Sequence, residues 1–201
     1  MPDLGIIILA AGGSSRMGQP KQLLKIQGQS LIRKTVLTAL SVEGKPIVVV
    51  LGNAVEEIRK EIADLDVAIL YNQDWEKGMA GSLRAGAQEM MLSAPHLKAV
   101  LILLCDQPFL HVDYLKKLYQ EFINSGRQAI ASEYGGVKGV PAIFDFHLLE
   151  RFNNSVGDFG ARHLIRELEK ERELAVLSFP EGAMDLDTPE DYAGFLKERD
   201  N

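Results

Sequence analysis

Uninterrupted apolar, β-branched runs alternate along the chain with stretches whose apolar positions recur at helical spacing. Gly5-Ile-Ile-Ile-Leu-Ala-Ala11 is the first such run and predicts a strand buried on both faces of a parallel sheet. Ile47 to Leu51, the short Val67 to Tyr71 and the very apolar Ala99 to Leu104 repeat that signal, and Gln128 to Ser132 and Leu174 to Phe179 add two more strands. Between them, Ser30 is placed to cap a helix running to about Leu40, with Leu31, Val36 and Leu40 among its apolar positions. Further helices are predicted over Val55 to Ala63, Ala80 to Met91, His111 to Ser125, Phe159 to Glu173 and Pro189 to Lys197, the last opened by Thr188 and Pro189. Gly12 to Gln29 reads as a long polar loop. Tyr134 to Pro141, with three glycines and a proline, reads as a loop or the bend of a hairpin.

Strand and helix alternating at this spacing imply right-handed βαβ units. The expected fold is α/β: one domain over residues 1–201, three layers deep, around a doubly wound and mostly parallel sheet. Apolar residues at 46% supply an ordinary globular core, and a net charge of −6 leaves no basic field for coating nucleic acid. The single cysteine, Cys105, excludes a disulfide framework and a cysteine-rich zinc site, and suits a reducing compartment. No apolar run approaches the roughly 18 residues of a membrane span. Leu4 to Ala11 lacks the basic flank of a secretory signal, so the expectation is a cytoplasmic protein without a membrane partner.

Ligands of open α/β sheets gather beyond the carboxyl ends of the strands, where four polar clusters fall. The first is Ala10-Ala-Gly-Gly-Ser-Ser-Arg-Met-Gly-Gln-Pro-Lys21. Small residues let a ligand approach the backbone, free amides form an anion nest, and Arg16 and Lys21 add two cations suited to a triphosphate. Gly13 and Gly18 have Walker A spacing, but Gln19 and Pro20 replace its Lys and Ser/Thr. There is also no G-x-G-x-x-G for a nicotinamide. The second cluster, Asn72 to Arg84, offers Gly78 for close approach and Ser82 as a polar contact near a helix start, though it reads equally as an ordinary strand-to-helix connection. Trp75 reads as packing. The third is Asp106, a candidate ligand for a hard cation or a helix cap. Cys105 beside it reads as packing, with no base to activate a thiol. The fourth, Asp185-Leu-Asp-Thr-Pro-Glu-Asp191, makes a capped helix start, from which one acid could also reach the metal of Asp106. Gly157-Asp-Phe-Gly-Ala-Arg162 offers a second anion site or a capped helix. The four histidines form no metal pair.

The run from Leu9 to Leu24 resembles the signature of nucleotidyltransferases with a molybdopterin-guanylyltransferase-like fold, and is most similar to their molybdenum cofactor cytidylyltransferase branch. Asn72-x-x-Trp75-x-x-Gly78 with Ser82-Leu83, Cys105-Asp-Gln-Pro108, Gly139-x-Pro141, Gly157-Asp-x-Gly-Ala161 and Asp187-Thr-Pro-Glu-Asp191 extend the likeness from end to end. The resemblance implies a Rossmann-like sheet of the nucleotide-diphospho-sugar transferase type. It implies that Leu9, Ala10, Ala11, Gly12, Gly13, Arg16, Lys21, Asn72, Gly78 and Ser82 bind nucleotide, and that Arg16, Lys21 and Asp106 are catalytic. Asp106 and Asp187 are the implied magnesium ligands, with Asp185 in reserve; Asp158 and Arg162 are the implied acceptor contacts. It further implies CTP as donor, molybdenum-bearing molybdopterin as acceptor, release of pyrophosphate, and a molybdoenzyme or chaperone as client. Leu-Ala-Ala-Gly at positions 9–12 is similar to the cytidylyl type, whereas guanylyl enzymes tend to carry Leu-Ala-Gly-Gly. A sugar- or alditol-phosphate nucleotidyltransferase and a catalytically silent nucleotide- or pterin-binding delivery protein are the competing readings.

Overall fold

The computed structural model describes residues 1, 3–14, 17–154, 160–184, 186 and 188–199, without the side chains of residues 154, 198 and 199. Its strands are β1 (Leu4–Ala10), β2 (Lys25–Ile26), β3 (Gln29–Ser30), β4 (Ile47–Leu51), β5 (Ala68–Tyr71), β6 (Ala99–Leu104), β7 (Ala129–Tyr134), β8 (Val137–Asp145) and β9 (Leu174–Ser178). Its helices are α1 (Leu31–Leu40), α2 (Val55–Ile62), α3 (Met79–Ser93), α4 (Val112–Ser125), α5 (Ala161–Glu171) and α6 (Pro189–Arg199). Seven strands form one sheet in the order β5-β4-β1-β6-β8-β7-β9. β8 runs antiparallel to both its neighbours and the other pairings are parallel. The mostly parallel α/β sheet expected from the alternating pattern is the observed architecture.

Alternation along each central strand sends side chains to two separate cores. Ile6, Ile8, Val49, Leu51, Leu101 and Leu103 pack with α1, α2 and α4 on one face. Ile7, Leu9, Val48, Val50, Val100 and Ile102 pack with α3 and α5 on the other, giving three layers. A third apolar cluster lies at one end, where Met17, Leu24, Ile26 and Leu31 meet Leu186 and Phe195. It seats α6 against the β2–β3 hairpin, and Tyr192 Oη donates to the Lys25 carbonyl at 2.6 Å.

The chain leaves β1 toward β4 and β5, then returns through β6 on the other side of β1. The crevice between the carboxyl ends of β1 and β6 is therefore the topological switch point, where such sheets hold ligands. The loops after β1 and β6 carry the first and third clusters to it.

One stretch differs from the sequence expectation, and the hairpin bend read at Tyr134 to Pro141 is observed but shorter. Gly12 to Gln29 is not all loop, because it holds a 3₁₀ turn at Lys21–Leu23 and all but the last residue, Ser30, of the small β2–β3 hairpin. Strands two residues long leave no periodicity to read. Tyr134 to Pro141 bends only at Gly135 and Gly136, whose φ values are +54° and +74°, and β8 starts at Val137. Pro141 would argue against an inner strand, but the β7 partners step from Ala131↔Ala142 to Ser132↔Gly139. Val140 and Pro141 are thus bulged out of the ladder, and no amide is needed from the proline.

Candidate active site

A cleft of about 270 Å³ opens at the switch point, and Leu9, Ala10, Ala11, Gly12, Gly13, Lys21, Gly78, Ser82 and Asp106 all line it. This is just below the usual 300–1,000 Å³ range for small-molecule sites, with one side open. Lys21 and Asp106 meet across it. Lys21 Nζ donates to Asp106 Oδ2 at 2.5 Å, and each side chain keeps 16% exposure. Eighty-five positions separate the two in sequence, and the β1–β6 pairing joins them. Asp106 Oδ1 is buried and has no hydrogen-bond partner among the described residues. A carboxylate oxygen left bare in that way normally costs free energy, and a cation or donor would relieve it.

Asp106 does not cap the helix that follows. His111 does, its Nδ1 accepting from the Tyr114 amide at 3.2 Å. In the fourth cluster the capping role falls to Thr188, whose Oγ1 accepts from the Asp191 amide at 3.2 Å while Asp191 Oδ2 accepts from the Thr188 amide at 2.9 Å. Leu186 is fully buried in the third apolar cluster. Asp185 and Asp187, like Arg16 and Asp158, lie outside the described residues.

The first loop is shaped from within by Gln22, which is 1% exposed. Its Nε2 donates to the carbonyls of Ala10 and Gly12, both at 2.9 Å. Ser14, at φ +52°, accepts the Lys21 amide on its Oγ at 2.9 Å and donates to Gln22 Oε1 at 3.5 Å. Trp75 packs over the loop, as read from the sequence, but also lines the cleft. A Cβ on Gly13 would stand 2.7 Å from its ring, and one on Gly52 would stand 2.5 Å from the Trp75 Cβ. Gly12 has open space around it. On the far wall, Gly78 adopts φ +105° and ψ 172°, a conformation that favours glycine, and delivers the chain into α3. The free amides of that helix start carry its positive end toward the cleft.

Asn72 and Ser82 have unequal places. Ser82 is 2% exposed and lines the cleft, whereas Asn72 does not line it and donates to Ser82 Oγ at 2.9 Å. Asn72 Oδ1 accepts the Asp74 amide, so the residue braces the turn between β5 and α3. Arg162 is exposed at the start of α5, outside the cleft lining. That start lies close to the cleft wall, since a Cβ on the preceding Gly160 would stand 3.0 Å from Met79 Sδ.

Gln22, Gly52, Glu76 and Met79 are the site residues that sequence reasoning passed over. A glutamine between a lysine and two leucines carries no signal of being buried, and Gly52 is explained by a tryptophan 23 positions further along the chain and by the Ala11 carbonyl. Cys105 is 2% exposed, and burial, aided by the charge of Asp106, pushes its thiol up. Native protein is therefore expected to resist iodoacetamide at mildly alkaline pH and to react fully once denatured; rapid native alkylation would contradict the packing role. No helix among the described residues is long and apolar enough to cross a membrane, and no group of three metal-ligating side chains occurs among them.

Comparison with known proteins bears on the family and the fold. The purine catabolism protein PucB of Bacillus subtilis is 30% identical over 207 residues, covering 95% of each chain. The molybdenum cofactor cytidylyltransferase of Escherichia coli is 25% identical over 193 residues, covering 96% of this chain and 95% of that one. The chain also matches bifunctional GlmU proteins, spanning about a quarter of their length; that of Stutzerimonas stutzeri is 34% identical over 59% of this chain. Among solved structures, a nucleotidyl transferase from Methanothermobacter thermautotroptrophicus shares the fold with a TM-score of 0.82 at 22% identity, covering 98% of this chain and 99% of that one. A Mycobacterium tuberculosis protein solved in complex with manganese also shares it, with a TM-score of 0.77 at 22% identity, covering 97% and 98%. The family model of the MobA-like NTP transferase domain matches residues 6–172, and the chain belongs to that family.

Proposed function

We propose that this protein is a divalent-metal-dependent nucleotidyltransferase that moves CMP from CTP onto the phosphate of a molybdopterin-type acceptor and releases pyrophosphate. The observation that carries this reading is the meeting of Lys21 with Asp106 at the switch point, with Asp106 Oδ1 left bare beside it. Lys21 is a compact charge for phosphate oxygens, and the amides of the first loop and of the α3 start offer neutral donors around it. Arg16 adds a second cation from the same loop. Gly12, with no neighbour within 4 Å of where a side chain would begin, lets the nucleotide lie against the backbone. The acceptor phosphate is already ionised at neutral pH, so the chain's task is to place it and to balance charge rather than to remove a proton.

The residues present fit a hard cation. Asp106 commits Oδ2 to Lys21 and keeps Oδ1 for a ligand, and Asp187 is the second carboxylate proposed. When bound, magnesium or a similar ion screens the phosphate charge that these residues gather. The manganese complex of the tuberculosis neighbour supports a divalent ion on this fold.

Full-length likeness to a molybdenum cofactor cytidylyltransferase supports the acceptor and donor named. Ala11 lines the cleft at 7% exposure, and the proposed selection for CTP is that its methyl leaves less room for a purine than glycine would. Ala11→Gly is expected to improve GTP binding relative to CTP by about tenfold, the scale of one methyl-sized change in a pocket. Calorimetry with both nucleotides checks this, and an unchanged ratio removes Ala11 from the selection. The whole reading is tested by pyrophosphate release from CTP and magnesium with molybdenum-loaded molybdopterin, a sugar phosphate or an alditol phosphate. Release with only the sugar or alditol phosphate moves the enzyme to that acceptor class. Nucleotide binding without release under any acceptor makes the chain a silent carrier.

A further inference from the structure

We infer that Gln22 is the positioning residue that turns the amides of the first loop toward the polyphosphate of the nucleotide, an inference resting on the proposed nucleotide site. Gln22 is buried at 1% exposure inside the loop, and its single amide nitrogen holds two carbonyls, those of Ala10 and Gly12, each at 2.9 Å. The Ala10–Ala11 and Gly12–Gly13 peptides are trans, since the cis bonds among the described residues are Lys45–Pro46 and Val140–Pro141. In a planar trans peptide the N–H points opposite to the carbonyl it adjoins. Holding both carbonyls on the Gln22 amide therefore turns the Ala11 and Gly13 N–H groups away from it, at residues that line the cleft together with Lys21 and Gln22 itself. Without those two bonds the carbonyls are free to rotate into the cleft, where they would oppose an anion.

The same side chain couples the loop to the charged pair. Gln22 and Lys21 share one 3₁₀ turn, and Ser14 Oγ touches both, accepting the Lys21 amide and donating to Gln22 Oε1. Gln22 thus faces the loop carbonyls to order the backbone donors, while its neighbour faces Asp106. The ligand chemistry is that of a linear polyphosphate, and the base and sugar play no part in it.

Gln22→Met tests this, because methionine matches the length and volume without a donor. Magnesium tripolyphosphate and magnesium CTP are titrated by calorimetry, and the Ala11 and Gly13 amide resonances are followed during each titration. Urea midpoints report the fold. In the wild type both ligands bind and both resonances move. In the variant the affinity for each ligand falls about tenfold, the scale expected when two ordered donors are lost. The loss shows in KM for the nucleotide more than in kcat, and the Ala11 and Gly13 resonances cease to respond. Equal affinity in a folded variant, or unaltered responses of the two amides, overturns the role of Gln22 and leaves the nucleotide site standing. A wild type that binds neither ligand overturns the nucleotide site and the positioning role together. Should Gln22→Met fail to fold, Gln22→Leu read by the same resonances replaces it, and a normal response there is equally fatal.

Discussion

Replacing Asp106 by alanine is expected to cut nucleotidyl transfer at saturating magnesium by roughly a few hundredfold, or about 3–4 kcal/mol in the barrier. The carboxylate has two duties at once. One oxygen holds Lys21 Nζ and the other has no hydrogen-bond partner among the described residues, so alanine removes both an anchor of the lysine and the proposed metal ligand. The fold should survive, because Lys21 keeps 16% exposure and water can reach it. Asp106→Asn separates the two duties: it retains the shape and one neutral oxygen but not the charge. Lys21→Ala should reduce turnover on a similar scale and destabilise more than Asp106→Ala does. It strips the Oδ2 partner from a carboxylate whose other oxygen has none among the described residues, and a half-buried charge without a partner is costly. Full turnover in Asp106→Ala, with urea midpoints matching the wild type, would falsify the metal role.

The second large effect concerns stability. Gly52→Ala is expected to destabilise the protein by about 1–3 kcal/mol, the usual cost of overpacking a filled site. The added Cβ would stand 2.5 Å from Trp75 Cβ, 2.6 Å from Trp75 Cγ and 2.7 Å from the Ala11 carbonyl oxygen. None of these is the free end of a flexible chain, so either the indole or the first loop must move. Nucleotide affinity should fall with stability, because the Ala11 carbonyl belongs to the loop that lines the cleft. Gly12→Ala is the control, with open space around its Cβ. Its thermal midpoint should match the wild type. Equal midpoints for both variants would show that Trp75 does not wedge the loop.

The sheet was legible where burial on both faces left apolar runs, as at Ile6 to Leu9, Ile47 to Leu51 and Ala99 to Leu104. β8 was not, because Gly139 and Pro141 speak against an inner strand and only the two-residue bulge reconciles them. The charged pair was legible in part. Lys21 and Asp106 were singled out by their places after apolar runs, but their contact depends on strand order, which no local pattern encodes. Gln22 and Gly52 were invisible for a related reason. What each does is set by residues that the fold brings alongside, the carbonyls of Ala10 and Gly12 for one and the Trp75 ring for the other.

Trp75 is the chain's single tryptophan, and its ring rests on Gly13 at the rim of the cleft. Excited near the red edge of protein absorption, the molecule has one indole emitter, seated where an incoming occupant changes the surrounding polarity. Arrival of a ligand over Gly12 and Gly13 therefore registers as quenching or a colour shift in unlabelled protein. Association rates become accessible by rapid mixing, with no dye, tag or engineered reporter.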